Sequence, residues 1–444
     1  MVVRVEVRGA HDSLLHRVVK EGLPLLRERM EDRGRSLPPF VWRELEAFVD
    51  CGDPARGFAW LVCDDCGFHR LVPFSCKGRG FCPACVGRRM AERAARWVDE
   101  LIPPVPVRQW VLTVPWAHRW HLARRPDLLR EVDQILVRTV SAWLADQAGF
   151  ERSGQTGAIS VTQRFGSALN LNVHLHVLVL DGVYDSAGTF VRVGPPTTDD
   201  VQGLLSRIRA RVERRFAARG LVASEDDEAD DESDEDLLAR IQADAVMGRG
   251  ARRRRGPSAS SRRLPPRCAA LGGYTLHAGT SVGGADRDGL ERLCRYVCRP
   301  PLPAARLERT EEDRLLLTLK RPWDDGTTSF TFEPVDLVQR LAALIPPPAA
   351  HQVVYHGVFA PRSKLRGHVT GQARGPRPPR DRKVRVKPTP LTQWAELLRR
   401  VFGVDGFACP VCEHRLRLRA LVLSARPARR ILGGLGRSAA RGPP

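Results

Sequence analysis

The sequence predicts an α+β fold: a mainly antiparallel sheet with helices on one face, preceded by a small cysteine-rich domain. Three observations predict it. Residues 158–180 read as two apolar, alternating strands around the turn signal Gly166-Ser167. Downstream and upstream of that hairpin the pattern runs strands, helix, strands, helix, which suits an antiparallel sheet rather than a wound parallel one. Two Cys-x-x-Cys pairs, Cys63/Cys66 and Cys82/Cys85, stand 15 residues apart, the spacing of a structural four-cysteine zinc site.

At 444 residues the chain is long enough for about two to three units, and 43% hydrophobic content allows a sizeable core. No run of about 18 apolar residues occurs, so no membrane span is expected. The opening Met-Val-Val-Arg-Val-Glu-Val-Arg does not read as a secretory signal. Cysteines arranged in pairs without such a signal suit metal ligands or free thiols in a reducing cytoplasm rather than disulfides. The net charge is +20, although residues 225–236 alone hold ten acids and no base; without them the remainder carries +30. A field of that size favours a polyanion such as nucleic acid.

In chain order, residues 1–45 read as a helical N-terminal segment, with helices at 12–31 and at 38–49, the second started by Pro38-Pro39. Residues 46–96 form the zinc-binding domain. Each Cys-x-x-Cys presents two thiolates from a tight knuckle, so Cys63, Cys66, Cys82 and Cys85 complete one tetrahedron. Cys51, Cys76 and His69 are spare and could replace a ligand. Lys77, Arg79, Arg88, Arg89 and Arg93 make this domain a candidate DNA contact. Residues 103–222 carry a strand at 107–114, an amphipathic helix at 127–149, the hairpin, a turn from Gly182 to Gly188, a strand at 189–193 and a basic helix at 199–219.

The insert 223–270 reads as disordered, because an acidic run precedes a block with eight Arg between Arg249 and Arg267 and no acid. A short helix at 236–247 lies inside it. Residues 271–360 resume the fold, with a helix at 286–298 stopped by Pro300-Pro301, strands at 313–320 and 327–333, and a helix at 334–345. Residues 361–390 are a basic linker. The C-terminal segment 391–444 has a helix at 391–402 and the pair Cys409/Cys412, half a zinc site that His414 or a distant Cys could complete, unless no metal binds there.

Chemistry concentrates in the hairpin. His174 and His176 alternate with Val173, Leu175, Val177 and Val179, so a strand turns both imidazoles to one face and the apolar side chains to the core. Two neutral imidazoles suit a divalent metal, although packing without metal is the plainer alternative. Gln163 lies 11 positions before His174, and the hairpin would fold it back as a third ligand. Tyr296 is one of four tyrosines and has Arg292, Arg295 and Arg299 around it. A phenol among guanidiniums suits attack on a phosphodiester, because the cations bind phosphate.

Taken together these stretches resemble a known family. They are Leu71-Val-Pro-Phe-Ser-Cys-Lys-Gly-Arg-Gly-Phe-Cys-Pro, the run Gln163 to His176, Arg292-Leu-Cys-Arg-Tyr-Val-Cys-Arg-Pro-Pro, Leu319-Lys-Arg-Pro-Trp-Asp-Asp-Gly-Thr-Thr and Tyr355-His-Gly-Val-Phe-Ala-Pro. The chain resembles the rolling-circle transposases of the insertion sequence ninety-one type, within the HUH superfamily named for His-hydrophobe-His. The resemblance covers about 40–420 apart from the charged insert. It implies an HUH-type fold, a Mg²⁺ or Mn²⁺ ion on His174, His176 and Gln163, a structural Zn²⁺, and Tyr296 as the nucleophile that nicks and rejoins single-stranded DNA through a 5′-phosphotyrosine. Founding members carry two tyrosines four apart; here the partner position is Arg292, so the chain resembles the single-tyrosine subgroup. Element ends and target DNA are the implied partners, on the bacterial nucleoid. No GxxxxGK[ST] occurs, which leaves strand opening to a host helicase. The competing readings are a related replication initiator or relaxase, and a catalytically inactive zinc-dependent DNA-binding protein.

Overall fold

The computed structural model describes residues 5–7, 13–32, 34, 36–150, 154–221, 252–255, 264–302, 306–323, 326–374, 399 and 405–440. The chain opens with β1 (Val5–Val7), α1 (Leu14–Glu31) and α2 (Pro39–Val49). β2 (Phe58–Val62), β3 (His69–Pro73) and α3 (Pro83–Arg96) follow. Next come β4 (Val107–Thr113), α4 (Trp116–Arg124), α5 (Pro126–Gln147), β5 (Gly157–Phe165), β6 (Leu171–Leu180), β7 (Gly182–Tyr184), β8 (Phe190–Arg192) and α6 (Thr198–Ala217). The second half holds β9 (Arg252–Arg255), β10 (Cys268–Leu271), β11 (Tyr274–Val282), α7 (Arg287–Val297), β12 (Leu307–Arg309), β13 (Leu315–Thr318) and β14 (Thr327–Phe332). It ends with α8 (Pro334–Leu344), β15 (Val353–Gly357), α9 (Arg366–Arg374), β16 (Arg417–Val422) and α10 (Ala425–Ala440).

Local chemistry sets several of these boundaries. Ser13 Oγ accepts from the His16 amide at 3.2 Å and starts α1. Thr197 and Asp200 form a reciprocal capping box at the start of α6. Asp286 Oδ1 accepts from the Gly289 amide at 2.7 Å and starts α7, the helix that carries Tyr296.

The central sheet has the order β10-β11-β4-β6-β5-β15, and every neighbouring pair in it is antiparallel. On one face Trp110, Leu112, Leu175, Val177 and Val179 are buried in the main core together with Val132, Leu136 and Val140 of α5 and Leu204, Leu205 and Ile208 of α6. The other face buries Ile159, Val161 and Leu178 with Leu290, Leu293 and Val297 of α7, and with Trp97, Val98 and Leu101. The long helices therefore share one face, and the short α7 closes the face where the histidines stand. At the end of the sheet Arg108 makes a buried bidentate pair with Asp181, at 3.0 and 2.9 Å, and donates a third bond to the Ala278 carbonyl at 2.8 Å.

A second sheet, β12-β13-β14-β9, adjoins this body, and a third, β1-β3-β2-β16, belongs to the cysteine-rich part. The N-terminal helices are packed onto the body: Arg29 of α1 pairs with Asp336 of α8 at 2.7 Å.

Two expectations are revised. Within the insert read as disordered, Arg252–Arg255 forms a strand against Thr327–Thr331, and Cys268–Leu271 opens the central sheet as β10. A sheet edge offers backbone hydrogen bonds whatever the side-chain charge, so composition does not decide such a strand. Within the stretch read as linker, Arg366–Arg374 is helical. The helices expected at 236–247 and 391–402 lie outside the described residues, apart from residue 399.

Candidate active site and metal centres

The hairpin register pairs Gln163 of β5 directly with His174 of β6, which in turn faces Thr113 of β4. His176, two residues on, points to the same face. The two imidazole centroids are 4.8 Å apart. Each ring is held through Nδ1. His174 Nδ1 donates to the Asn172 carbonyl at 2.8 Å, which places its lone pair on Nε2. His176 Nδ1 lies 2.6 Å from the Gln109 carboxamide. As placed, the Gln109 amide nitrogen donates to Nδ1 and leaves the proton on Nε2; exchanging the amide nitrogen and oxygen would let the oxygen accept Nδ1–H and turn the His176 lone pair to Nε2.

Gln163 Nε2 donates to the carbonyls of Val297 at 2.8 Å and Tyr296 at 3.4 Å. Its Oε1 and the Nε2 of His176 are buried and meet no hydrogen-bond partner among the described residues. An orphaned carboxamide oxygen beside unpartnered imidazole nitrogens fits a cation better than an apolar packing arrangement, once the Gln109 amide is turned so that His176 Nε2 carries the lone pair. Burial holds His174 down to about 4, with Arg299 and Arg119 as smaller contributors, and holds His176 well below its ordinary value, with His174, Arg299 and His277 adding to the effect. Both rings are therefore neutral at pH 7, as a metal ligand must be.

α7 brings Tyr296 over this face. Its ring meets His176 edge-on with centroids 5.9 Å apart, and it is 46% exposed. The Arg299 guanidinium stacks on it at 4.3 Å and on Phe165 at 5.6 Å. Arg292 is exposed one turn earlier, whereas Arg295 is paired with Glu291 at 3.2 Å. Of the other tyrosines, Tyr184 and Tyr274 are buried and the Tyr355 hydroxyl accepts from the Trp97 indole at 2.9 Å.

The structure does not bring the four spacing-selected cysteines together. Cys66 precedes and Cys76 follows the five-residue β3, which at about 3.3 Å per residue is about 16 Å long, and the two belong to different clusters. Cys82 and Cys85, at the start of α3, join Cys51 and Cys76 instead. The sulfur separations within this quartet, 3.7 Å for Cys51–Cys82, 3.9 Å for Cys51–Cys85 and 3.4 Å for Cys76–Cys85, match the edge of about 3.8 Å that a tetrahedral Zn–S bond of about 2.3 Å requires. The amides of Cys76 and Gly78 donate to Cys51 Sγ and Cys76 Sγ at 3.4 and 3.3 Å, as thiolates need. Cys63 and Cys66 lie with Cys409 and Cys412. His69 accepts from the Trp60 indole at 3.1 Å and His414 is exposed; neither belongs to a ligand cluster among the described residues.

Residues 157–366, which include Gln163, His174, His176 and Tyr296, match the family described as "Putative transposase". Residues 24–114 match the transposase zinc-binding domain of the insertion sequence ninety-one type. The two matches together support an insertion sequence ninety-one type transposase. No curated protein and no solved structure matches it.

The transposase thus has DNA as its partner and structural zinc in its N-terminal domain. No helix among its described residues is long and apolar enough to cross a membrane. A cleft beside Gln163 is lined by Arg79, Arg89 and Arg93 from the zinc-binding domain and by Arg299 beyond α7. Arg164 also reaches it, but its buried guanidinium, pushed down to about 10 by burial and then by Arg79, holds the carbonyls of Ala123 at 3.0 Å and Leu344 at 3.2 Å. Sequence reasoning missed Gln109 and His277. Alternation along β4 places Gln109 on the Val111 face, but nothing local says that this strand lies beside the histidines.

Proposed function

We propose that the transposase nicks and rejoins single-stranded DNA with Tyr296 as its nucleophile. The observation that carries this is Tyr296 itself: an exposed phenol set edge-on against His176, with Arg299 stacked on it. A phosphodiester seated there would have its charge met by Arg299 and by the arginines of the adjoining cleft. The Tyr296 hydroxyl oxygen attacks phosphorus while losing its proton. The P–O3′ bond breaks, and its electron pair leaves on the 3′ oxygen, which is protonated. The products are a 5′-phosphotyrosine and a free 3′-OH. Reversal on a new strand, with the 3′-OH attacking and the phenol leaving, restores the diester without a nucleotide triphosphate.

His174, His176 and Gln163 would hold a Mg²⁺ or Mn²⁺ ion, which supplies Lewis acidity to the scissile phosphate. Asn172 and Gln109 orient the two rings so that Nε2 faces that position. Gln163 also ties α7 to the sheet, so the same side chain sets the distance between Tyr296 and the ligands. With one exposed tyrosine at the site, both cleavage and rejoining rest on Tyr296.

The test is a denaturing gel on single-stranded DNA from the element ends with Mn²⁺. Wild type should form a covalent adduct and Tyr296→Phe should bind without one. Binding without an adduct by wild type, across metals and both ends, would favour the non-catalytic DNA-binding reading.

A further inference from the structure

We propose that Cys63, Cys66, Cys409 and Cys412 hold a second zinc ion, which clasps the C-terminal segment onto the N-terminal zinc-binding domain. The inference is independent of the nuclease reading. All four sulfurs lie within 4.8 Å of one another, with Cys63–Cys412 at 3.4 Å and Cys66–Cys409 at 3.5 Å. These distances approach the tetrahedral edge of about 3.8 Å and far exceed a disulfide bond of about 2.05 Å.

The two pairs form the same knuckle. The Cys63 amide donates to the Phe68 carbonyl at 2.8 Å, and the Gly67 amide donates to the Cys63 carbonyl at 3.0 Å. On the other side the Cys409 amide donates to the His414 carbonyl at 2.8 Å, and the Glu413 amide donates to the Cys409 carbonyl at 3.0 Å. The residue after the second cysteine is left-handed in both, Gly67 at φ 69° and Glu413 at φ 62°. A glutamate accepts that conformation only when its surroundings impose it. Two matching turns facing each other across 343 residues are the usual form of a four-cysteine zinc site, built here from distant parts of the chain.

The rest of the segment docks consistently. β16 pairs with β2 from Arg417↔Val62 to Val422↔Phe58 and completes the β1-β3-β2-β16 sheet. Leu61, Phe68 and Leu416 bury the knuckles, and Val422 and Ala428 pack on Phe58 and Leu71. The buried Arg70 reaches across to the carbonyls of Gly406 at 3.0 Å and Ala408 at 3.3 Å. The clasp would thereby fix the exposed Arg415, Arg417 and Arg419 alongside the N-terminal domain.

Zinc content and native mass spectrometry of the full-length chain test this. Wild type should carry two zinc ions. Cys409→Ser/Cys412→Ser and Cys63→Ser/Cys66→Ser should each carry one, with the remaining ion reporting an intact first site. Cys412→His, which keeps a ligand, should retain two. Hydrogen exchange over 417–422 should rise in the double variants, as β16 undocks. A wild-type count of one would overturn the proposal. So would a Cys409→Ser/Cys412→Ser chain that still holds two, or a wild-type mass lighter by four hydrogens with a single zinc, which would mean two disulfides.

Discussion

Gln163 Nε2 donates to the Val297 carbonyl at 2.8 Å, joining β5 to the helix of Tyr296 across 134 residues. Its Oε1 is left buried and without a partner among the described residues, on the strand position that pairs with His174, so the amide serves the helix through its nitrogen and keeps its oxygen unsatisfied. Glutamate has no donor for the helix carbonyls. Gln163→Glu should therefore destabilise the chain by about 1–3 kcal/mol in urea unfolding and lower adduct formation, despite its extra ligand charge. Undiminished stability would show that the bond to Val297 is dispensable.

Arg299 stacks on the Tyr296 ring, so its charge is held beside the phenol where a phosphate would sit. Arg299→Ala should reduce single-strand cleavage by about 10²-fold with folding preserved. Arg299→Lys should recover only part of this, since an ammonium keeps the charge and loses the planar stack. Full recovery with Lys would reduce the role of the stack to charge alone.

The histidines set a pH window. Burial holds His174 at about 4 in the folded chain, below the ordinary imidazole value of about 6.5. Below about 6.5 the unfolded chain gains a proton that the folded chain refuses, so this residue costs stability as pH falls toward about 4, and nothing above about 6.5. Conversely, Mn²⁺ binding should persist as pH falls from 7 to about 5, where exposed imidazoles would already be charged. Paramagnetic titration of free Mn²⁺ measures it; loss of binding near pH 6.5 would mean that the rings are more solvated than the structure shows.

Arg108 and Asp181 form a buried pair at the end of the sheet, far from the tyrosine in role. Asp181→Ala should cost about 3–5 kcal/mol, because it strands a guanidinium in the core. Chemical denaturation should register the full loss in midpoint with the DNA-binding affinity of the surviving folded fraction unchanged.

Removal of the first zinc should act differently. A chelator, or Cys85→Ser, should unfold the part built on Cys51, Cys76, Cys82 and Cys85, since metal binding and folding are coupled in such sites. Circular dichroism and DNA binding should fall together, and readdition of zinc should restore both in wild type only.

The sequence by itself determined much of the face that carries the two histidines. His174 and His176 share a face because a strand repeats every two residues, and Gly166-Ser167 turns β5 back so that Gln163 meets His174. The helix of Tyr296 was likewise legible at 286–298 with its proline stop, and the structure adds the Asp286 cap. These are short-range rules, and they survive whatever the rest of the chain does. Only the tertiary structure decided which strand lies beside β6, and hence that Gln109 orients His176. It also decided the partners of the cysteines. Spacing favoured Cys63, Cys66, Cys82 and Cys85, but β3 holds the two pairs apart, while the packing of Phe58, Leu71, Val422 and Ala428 carries Cys409 and Cys412 to Cys63 and Cys66. Contacts between residues more than 300 positions apart follow from burial of a shared core, and no local pattern encodes them.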